Sequence, residues 1–438
     1  MSLQPHLLAP YFRKLEQVPT WRSTGRVNKA VGFLVESEGP LCSVGESCEI
    51  VGTDGEAHPG EVVGFRGRTV LSIPLGRPQG IRFGDRVVTT GLRPQLPVSD
   101  SLLGRVIDAT GTPIDSLGNY RAPDSCALNN SPPQPLERTP IREPLGCGIR
   151  AIDAMLTCGR GQRVGIFGGS GVGKSTLVGM MAQGTAADLT VVALVGERGR
   201  EVREFLEDSL GTEGRKRSVV VVATSDQSPL LRLRAALVAT AVAEYFSSRG
   251  RHVLLVIDSL TRFAMAQREI GLAAGEPPTA KGYTPSVYSL LAQLVERAGH
   301  FGNGSITAFY SLLMEGDDQQ DPLVDAVRAL LDGHIVLDRR LASQNYYPPI
   351  SIIDSLSRLL TAVCTPEHLA KIQRMRQLMA AYATSEDLVR VGAYQKGTDV
   401  ALDRALEVLP RLKAFLQQKK GERCTLEEAR TQLLALPG

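Results

Sequence analysis

The stretch VGIFGGSGVGKSTLVGM, residues Val164–Met180, is the most specific local pattern in this 438-residue chain. Its centre follows the pattern G-x-x-x-x-G-K-S, after an apolar run typical of a buried strand and before a run of helical composition. Glycines let backbone N–H groups surround an anion, and the helix that follows turns its positive end toward it. The stretch therefore predicts a loop that binds the phosphates of ATP, formed by Gly168, Gly169, Ser170, Gly171, Val172, Gly173, Lys174, Ser175 and Thr176.

Two side chains of this loop and one distant aspartate have predicted roles in the chemistry. Lys174 would reach the β- and γ-phosphates, and the Ser175 hydroxyl would ligate Mg²⁺. The apolar run before Asp258 predicts a strand with this aspartate at its tip, where it would act on the Mg²⁺ side of the site through water. The sequence thus predicts ATP as substrate with Mg²⁺ as cofactor.

Many P-loop ATPases carry a second acid directly after this aspartate to orient the attacking water. This chain has Ser259 there, so the carboxylate has to come from another part of the sequence. We predict that Glu197, at the carboxyl end of another apolar run, orients the attacking water. The alternative is a solvated glutamate paired with Arg198 or Arg200.

The chain divides into four predicted parts. Short β-like segments such as Ala30–Val35, Ser47–Val51 and Asp85–Thr89 predict a small barrel. Continuous apolar runs then predict a parallel sheet, with strands at Val164–Phe167, Thr190–Val195, Val219–Ala223, Val253–Ile257 and Ile306–Tyr310. Cap signals at Thr365 and Thr425 predict helices toward the end. The predicted boundaries are 1–21 (an N-terminal docking segment with a helix over Pro10–Val18), 22–95 (barrel), 96–360 (α/β nucleotide-binding domain) and 361–438 (helical domain).

Composition excludes several classes of protein. Lysines and arginines number 49 against 46 aspartates and glutamates, so the net charge is +3, without like-charge blocks, and no nucleic-acid-binding surface is expected. The seven cysteines lack metal-ligand spacing, which favours reduced thiols in a cytoplasm. We expect neither a membrane span nor an export signal.

Seven stretches are specific as a set: LGRVIDATGTPID (Leu103–Asp115), GIRAIDAMLTCGRGQRVGIFGGSGVGKSTL (Gly148–Leu177), VGERGREV (Val195–Val202), DSLTRFAMAQREIGLAAGEPP (Asp258–Pro278), GSITAFY (Gly304–Tyr310), LDGHIVL (Leu331–Leu337) and GAYQKGTD (Gly392–Asp399). Through them nearly the whole chain resembles the flagellar type III export ATPases, relatives of the catalytic β subunit of rotary ATP synthases.

The resemblance implies a RecA-like P-loop core, an N-terminal β-barrel and a C-terminal helical domain, assembled as a homohexamer. The water-activating glutamate of the family falls on Glu197 and its Mg²⁺-side aspartate on Asp258. Its adenine-stacking tyrosine falls on Tyr347, although the loop NYYPPIS departs from the usual H-Y-P-A-I-D and leaves Tyr346 as an alternative. Its arginine finger, which completes a neighbour's site, falls on Arg358.

The resemblance also implies partners and a location. The partners are a stator-like regulatory protein, a central coiled-coil stalk, a membrane export gate and chaperone–substrate complexes, and the location is cytoplasmic and peripheral at the inner membrane. The segment Gly275–Val287 is rich in Gly and Pro, and we predict that it lacks regular structure and faces the pore of the ring. The motifs favour the flagellar branch, with a virulence-type injectisome ATPase as the alternative.

Two other functions fit a RecA-like core. An RNA-translocating hexamer would need aromatic platforms beside basic grooves, whereas the predicted barrel has only Phe33, Phe65 and Phe83 and no basic cluster. A catalytically silent subunit of a rotary ATPase conflicts with an intact P-loop, Glu197 and Arg358 in one chain.

Overall fold

The computed structural model describes residues 22–89, 91–314 and 321–437. The predicted helix Pro10–Val18 lies outside this part of the chain.

The first domain is a closed barrel of six strands in the order β1-β2-β5-β4-β3-β6. Its interior is filled by alternate residues of the strands, such as Cys48 and Ile50 of β3 and Val87 of β6. The predicted barrel is therefore confirmed. The strands are β1 (Ser23–Val31), β2 (Leu34–Glu38), β3 (Ser47–Val51), β4 (Ala57–Arg66), β5 (Thr69–Pro74) and β6 (Arg86–Thr89).

One predicted strand of the barrel is wrong. Ala30–Val35 is not continuous, because Val31 pairs with Leu34 and the two residues between them form a hairpin turn. Gly32 has a φ of +58°, which the first central residue of a two-residue hairpin turn requires. The apolar Phe33 disguises this turn in the sequence.

The second domain is built on a sheet of nine strands, with the path β19-β18-β12-β17-β15-β13-β14-β8 and β16 paired to β17. The strands are parallel except β16 and the edge strand β19. All five predicted strands are confirmed. The strands that follow the barrel, of which β8 and β12 to β19 form this sheet, are β7 (Gln95–Val98), β8 (Val106–Asp108), β9 (Asp124–Ala127), β10 (Pro144–Leu145), β11 (Cys158–Gly159), β12 (Arg163–Gly168), β13 (Leu189–Glu197), β14 (Ser218–Thr224), β15 (His252–Asp258), β16 (Gly299–Phe301), β17 (Gly304–Leu313), β18 (Gly333–Leu337) and β19 (Ile350–Ser357).

Helices cover both faces of this sheet. The α-helices are α1 (Arg150–Met155), α2 (Lys174–Gly184), α3 (Gly199–Glu204), α4 (Gly211–Lys216), α5 (Pro229–Ser248), α6 (Leu260–Ala274), α7 (Pro285–Glu296), α8 (Pro322–Leu330), α9 (Arg339–Ser343), α10 (Leu360–Val363), α11 (Pro366–Arg390), α12 (Val400–Leu416) and α13 (Leu426–Ala435). A π-helical turn spans Phe205–Leu210, and 3₁₀ turns span Asp100–Leu102, Pro135–Glu137 and Ala280–Gly282.

The sheet lies between two hydrophobic cores, and this explains why the sequences of its strands are continuous apolar runs. Val191 and Ala193 of β13 face a core shared with the barrel and helices α5 to α8, whereas Val192 and Leu194 face a core shared with α1, α2 and α11 to α13. A strand buried on both faces needs no polar alternation. The C-terminal helices therefore lie on the same face of the sheet as α2, the helix that follows the P-loop.

The prediction for Gly275–Val287 is wrong in part. A 3₁₀ turn occupies Ala280–Gly282, and α7 begins at Pro285. Proline suits the first position of a helix because its missing N–H has no partner there in any case. No helix among the described residues is long and apolar enough to cross a membrane.

Candidate active site

The phosphate-binding loop lies between the carboxyl end of β12 and α2, as predicted. Gly171 and Gly173 have φ values of +78° and +100°, a region that only glycine adopts freely. Gly168 is needed for a different reason, because a Cβ there would lie 3.0 Å from the Cβ of Leu337. The hydroxyl-bearing residues Ser175 and Thr176 are exposed on the first turn of α2.

Lys174 is a buried cation. Its side chain is only 9% exposed, and within the described residues no group forms a hydrogen bond with its Nζ atom. Burial lowers its pKa, against the opposing charges of Asp258 and Glu197. A buried ammonium without a hydrogen bond is costly, so this site is built for an anion that the chain itself does not provide.

Asp258 is the last residue of β15, next to the loop on the same edge of the sheet. Its Oδ1 accepts a hydrogen bond from the hydroxyl of Ser311, in the neighbouring strand β17. Thr261 holds the end of β17 from the other side, because its Oγ1 accepts a hydrogen bond of 2.9 Å from the backbone N–H of Leu313. The aspartate is thus held at a fixed place beside Lys174.

Glu197 is the last residue of β13 and belongs to the same cluster of strand ends. Its pKa is raised to about 8, first by burial, then by a hydrogen bond to Glu201 and by the charge of Asp258. The alternative that it pairs with a neighbouring arginine is wrong, because Arg198 lies 3.5 Å from Glu201 and Arg200 lies 3.3 Å from Glu204. A carboxyl group of raised pKa next to a buried lysine is typical of a catalytic site.

Arg262 belongs to this cluster although the sequence analysis did not select it. It lies in the first turn of α6, and a Cβ added to Gly196 would lie 3.0 Å from the Cβ of Arg262. Its positive charge opposes the rise in the pKa of Glu197 and adds to the lowering of the pKa of Lys174. The sequence DSLTRF does not indicate that its arginine joins the site, because this position depends on the close approach of α6 to Gly196.

A cavity of about 800 Å³ adjoins the phosphate loop and is lined by Gly173, Thr176, Tyr347 and Gln417 among others. Tyr347 is 47% exposed and its Cε1 lies 3.9 Å from the place of a Cβ on Gly173. Tyr346 instead packs against the core on the α2 face, and burial raises its pKa. The structure thus places Tyr347, rather than Tyr346, at the cavity.

The wall of this cavity is secured by Gln418, another residue without a sequence signal. Its backbone N–H donates to the carbonyl of Tyr347 at 3.0 Å, and its Nε2 donates to the carbonyl of Gly148 at 2.9 Å. Its Oε1 accepts from the backbone N–H of Arg150 at 2.8 Å. This buried amide joins the C-terminal helices to the nucleotide-binding domain.

Arg358 does not join the cluster. It follows β19, which runs antiparallel to β18 with Ser357 opposite Gly333, whereas the P-loop adjoins Leu337 at the other end of β18. The two ends of β18 are about 13 Å apart at the usual rise per residue. Arg358 is exposed at this far end of β18 and β19.

Comparison with known proteins agrees with this fold and site. Residues 148–357 match the ATP synthase alpha/beta family, nucleotide-binding domain, residues 27–91 match the beta-barrel domain of that family, and residues 364–435 match the T3SS EscN ATPase C-terminal domain. The chain is 49% identical over 426 residues to a flagellum-specific ATP synthase of Bacillus subtilis, covering 97% of each chain. It is 51% identical over 428 residues to that of Salmonella typhimurium, covering 95% of this chain and 94% of the relative.

Secretion-system ATPases are similar to the chain as well. A type 3 secretion system ATPase of Xanthomonas euvesicatoria is 46% identical over 407 residues, which cover 93% of this chain and 92% of the relative. The solved structure of the assembled ATPase EscN of enteropathogenic E. coli superposes with a TM-score of 0.88 at 42% identity, covering 93% of this chain and 98% of EscN. EscN in complex with its central stalk EscO superposes with a TM-score of 0.86 at 41% identity, with the same coverage.

A P-loop ATPase with a RecA-like core is the class that the fold and the site define. Within that class the chain belongs to the ATP synthase alpha/beta family, in the branch of the flagellar type III export ATPases. It is an ATP hydrolase.

Proposed function

We propose that the chain is the ATP-hydrolysing motor of a flagellar type III protein export apparatus, and that it couples hydrolysis to the delivery and unfolding of export substrates. The observation that carries the catalytic part is the buried Lys174, whose Nζ has no hydrogen-bond partner among the described residues, beside Glu197 and Asp258 on one edge of the sheet. The export part is supported by similarity over nearly the full length to flagellum-specific ATP synthases.

Each residue of the cluster has a distinct task in this proposal. Lys174 neutralises the β- and γ-phosphate oxygens, and the backbone N–H groups from Gly168 to Thr176 surround them. Glu197, once ionised, orients the attacking water and accepts its proton. Tyr347 stacks on the adenine at the cavity beside Gly173.

Mg²⁺ is the cofactor that this chemistry requires, since it would neutralise charge on the phosphates. Among the described residues no three His, Cys, Asp or Glu side chains gather into a metal site. That suits Mg²⁺, which binds through one or two protein groups and the phosphates of its nucleotide. Ser175 and Asp258, the aspartate through water, are the residues that would hold it, and the fixed Asp258 carboxylate fits this role.

The proposed assembly is a homohexamer, in line with the similarity to the assembled ATPase EscN. Arg358 lies at the end of β18 and β19 away from its own P-loop, which favours a role in completing the site of an adjacent copy. A ring then contains six sites, each with Lys174 and Glu197 from one subunit and Arg358 from the next. The EscN–EscO complex supports a central stalk partner.

The remaining partners complete the proposed working cycle. A stator-like regulatory protein would bind the N-terminal segment 1–21, and the ring would deliver chaperone–substrate complexes to a membrane export gate. In this proposal the chain works in the cytoplasm, at the periphery of the inner-membrane export apparatus. It has no nucleic acid as a ligand.

A strain that lacks the gene tests the proposal. We expect loss of motility and of flagellar protein secretion, with both restored by the wild-type gene and not by Glu197→Gln. Normal motility together with loss of injectisome secretion would establish the alternative, which the similarity to type 3 secretion system ATPases supports.

A further inference from the structure

Arg358 emerges from a buried hydrogen-bond network centred on Gln162. The side chain of Gln162 is 0% exposed. Its Nε2 donates to the carbonyl of Asp332 at 3.1 Å and to Oγ of Ser357 at 3.3 Å, and its Oε1 accepts from the backbone N–H of Gly159 at 2.7 Å. Every donor and acceptor of this amide thus has a partner, so the geometry of the network is strongly specified.

The same network holds the backbone of Arg358. Its N–H donates to the carbonyl of Asp332 at 2.9 Å, so that one carbonyl accepts from both Gln162 and Arg358. The Ser357 hydroxyl in turn donates to the carbonyl of Thr157 at 3.1 Å. The network packs tightly against Gly333, because a Cβ added there would lie 3.4 Å from Nε2 of Gln162 and 2.5 Å from the carbonyl oxygen of Leu356.

Asp332 is itself fixed to the strand that ends in the P-loop. Arg163, the first residue of β12, donates from Nε to Oδ2 of Asp332 at 3.0 Å and from Nη2 to Oδ1 at 3.1 Å. Such a two-point contact between guanidinium and carboxylate fixes orientation as well as distance. The strand β12 therefore bears the P-loop at its carboxyl end and, at its amino end, holds the residue to which Arg358 is bonded.

We propose that Gln162 is a positioning residue for catalysis at the neighbouring subunit, because it sets the place from which Arg358 reaches the neighbour's nucleotide. This inference rests on the proposed role of Arg358 as the residue that completes the adjacent site. A misplacement of about 1 Å at a reacting group can cost roughly 10²-fold in rate. Gln162 acts on turnover through Arg358 and leaves nucleotide binding at its own P-loop unchanged.

Three substitutions test this. Gln162→Met keeps an unbranched side chain of similar length and removes the amide. Ser357→Ala removes one hydroxyl of the network. Thr307→Val is the matched control, since Oγ1 of this buried threonine accepts from the backbone N–H of Gly161 at 2.8 Å, one residue before Gln162, and is not part of the hydrogen-bond network described above.

Each variant is assembled as a ring, checked by size, and assayed for kcat, KM and unfolding temperature. For Gln162→Met we expect kcat to fall about 10- to 100-fold with KM within about twofold of wild type. Ser357→Ala changes kcat in the same direction by less, and Thr307→Val leaves kcat near wild type despite a comparable loss of stability. A loss of kcat in Thr307→Val as large as that in Gln162→Met would overturn the inference.

A double-mutant cycle with Arg358→Ala separates positioning from general damage. If Gln162 acts through Arg358, adding Gln162→Met to Arg358→Ala changes single-turnover hydrolysis by less than about twofold. Equal losses in both backgrounds would show that Gln162 acts elsewhere and would refute the inference alone. Full turnover of the single variant Arg358→Ala would refute the proposed finger and with it this inference. Should Gln162→Met fail to fold, the cycle with Ser357→Ala decides in the same way.

Discussion

The carboxyl groups of Glu197 and Glu201, the latter in the helix that follows β13, interact with each other. Burial first, and then this contact, raise the pKa of Glu197 to about 8, while the same contact lowers the pKa of Glu201. Glu197 is therefore the member of the pair that keeps its proton to higher pH. A base that must be ionised to accept a proton from water gains activity as pH rises through its pKa.

We therefore expect kcat/KM for ATP to rise with pH along a limb near pH 8. Glu201→Gln removes a negative charge beside Glu197 and should move this limb to lower pH, because the ionised form of Glu197 is then less disfavoured. The measurement is the pH profile of kcat/KM for both proteins. A limb at the same pH in both would contradict the assigned coupling.

Glu197→Gln keeps the volume of the side chain and an oxygen that can hydrogen-bond, but loses the anionic form. Turnover should fall on the order of 10²-fold or more while ATP still binds, because the water loses its base. Nucleotide binding followed with a fluorescent ATP analogue provides the control. Turnover within about twofold of wild type would place the base elsewhere.

Lys174→Met separates catalysis from folding. Hydrolysis should be abolished, because the charge that compensates the β- and γ-phosphate oxygens is lost. The nucleotide-free protein should unfold at the wild-type temperature or above it, since the variant no longer buries an ammonium without a partner. Thermal unfolding with and without ATP measures both effects: ATP should raise the unfolding temperature of the wild type far more than that of the variant. Wild-type turnover would refute the P-loop assignment.

The sequence predicted the parts of the site that depend on local chain geometry. The P-loop, Glu197 and Asp258 each follow an apolar run, and parallel strands bring their carboxyl ends to one edge of a sheet. The sequence alone does not show that Lys174 is largely buried.

Long-range hydrogen bonds could not be predicted in this way. Gln162 contacts Asp332, 170 residues further along the chain, and Gln418 contacts Gly148, 270 residues away. A glutamine in a glycine-rich turn gives no sign that it is buried, because its partners are backbone groups and a serine hydroxyl whose positions only the folded chain defines. The error at Ala30–Val35 has the opposite origin, since an apolar residue occupies a turn.

Tyr346 and Tyr347 should respond differently to truncation. Tyr347→Ala should weaken ATP binding about tenfold by loss of an aromatic contact, with little change in unfolding temperature, because this ring is half exposed at the cavity. Tyr346→Ala should instead cost on the order of 2 kcal/mol of stability, since its ring packs against a core. Tyr347→Phe is the control that keeps the ring. The reverse pattern would assign the adenine contact to Tyr346.

Arg358 decides whether the ring is the working unit. Arg358→Ala should lower turnover about 10³-fold with ATP binding to the isolated subunit unchanged, because the lost guanidinium acts only on charge that develops at the adjacent site. Mixing this variant with Lys174→Ala subunits gives a sharper result. Some interfaces of the mixed ring then join an intact P-loop to an intact arginine, whereas rings of either variant alone have none.

Activity should therefore reappear in the mixture as a function of the ratio of the two variants, with a maximum near equal amounts. Mixing each variant with wild type under the same conditions controls for subunit exchange. Because Arg358 follows the end of β19 that lies away from its own P-loop, we expect the recovered activity to come from interfaces between subunits. Full turnover of Arg358→Ala alone, in protein verified as a ring, would contradict a role for this arginine across the subunit boundary.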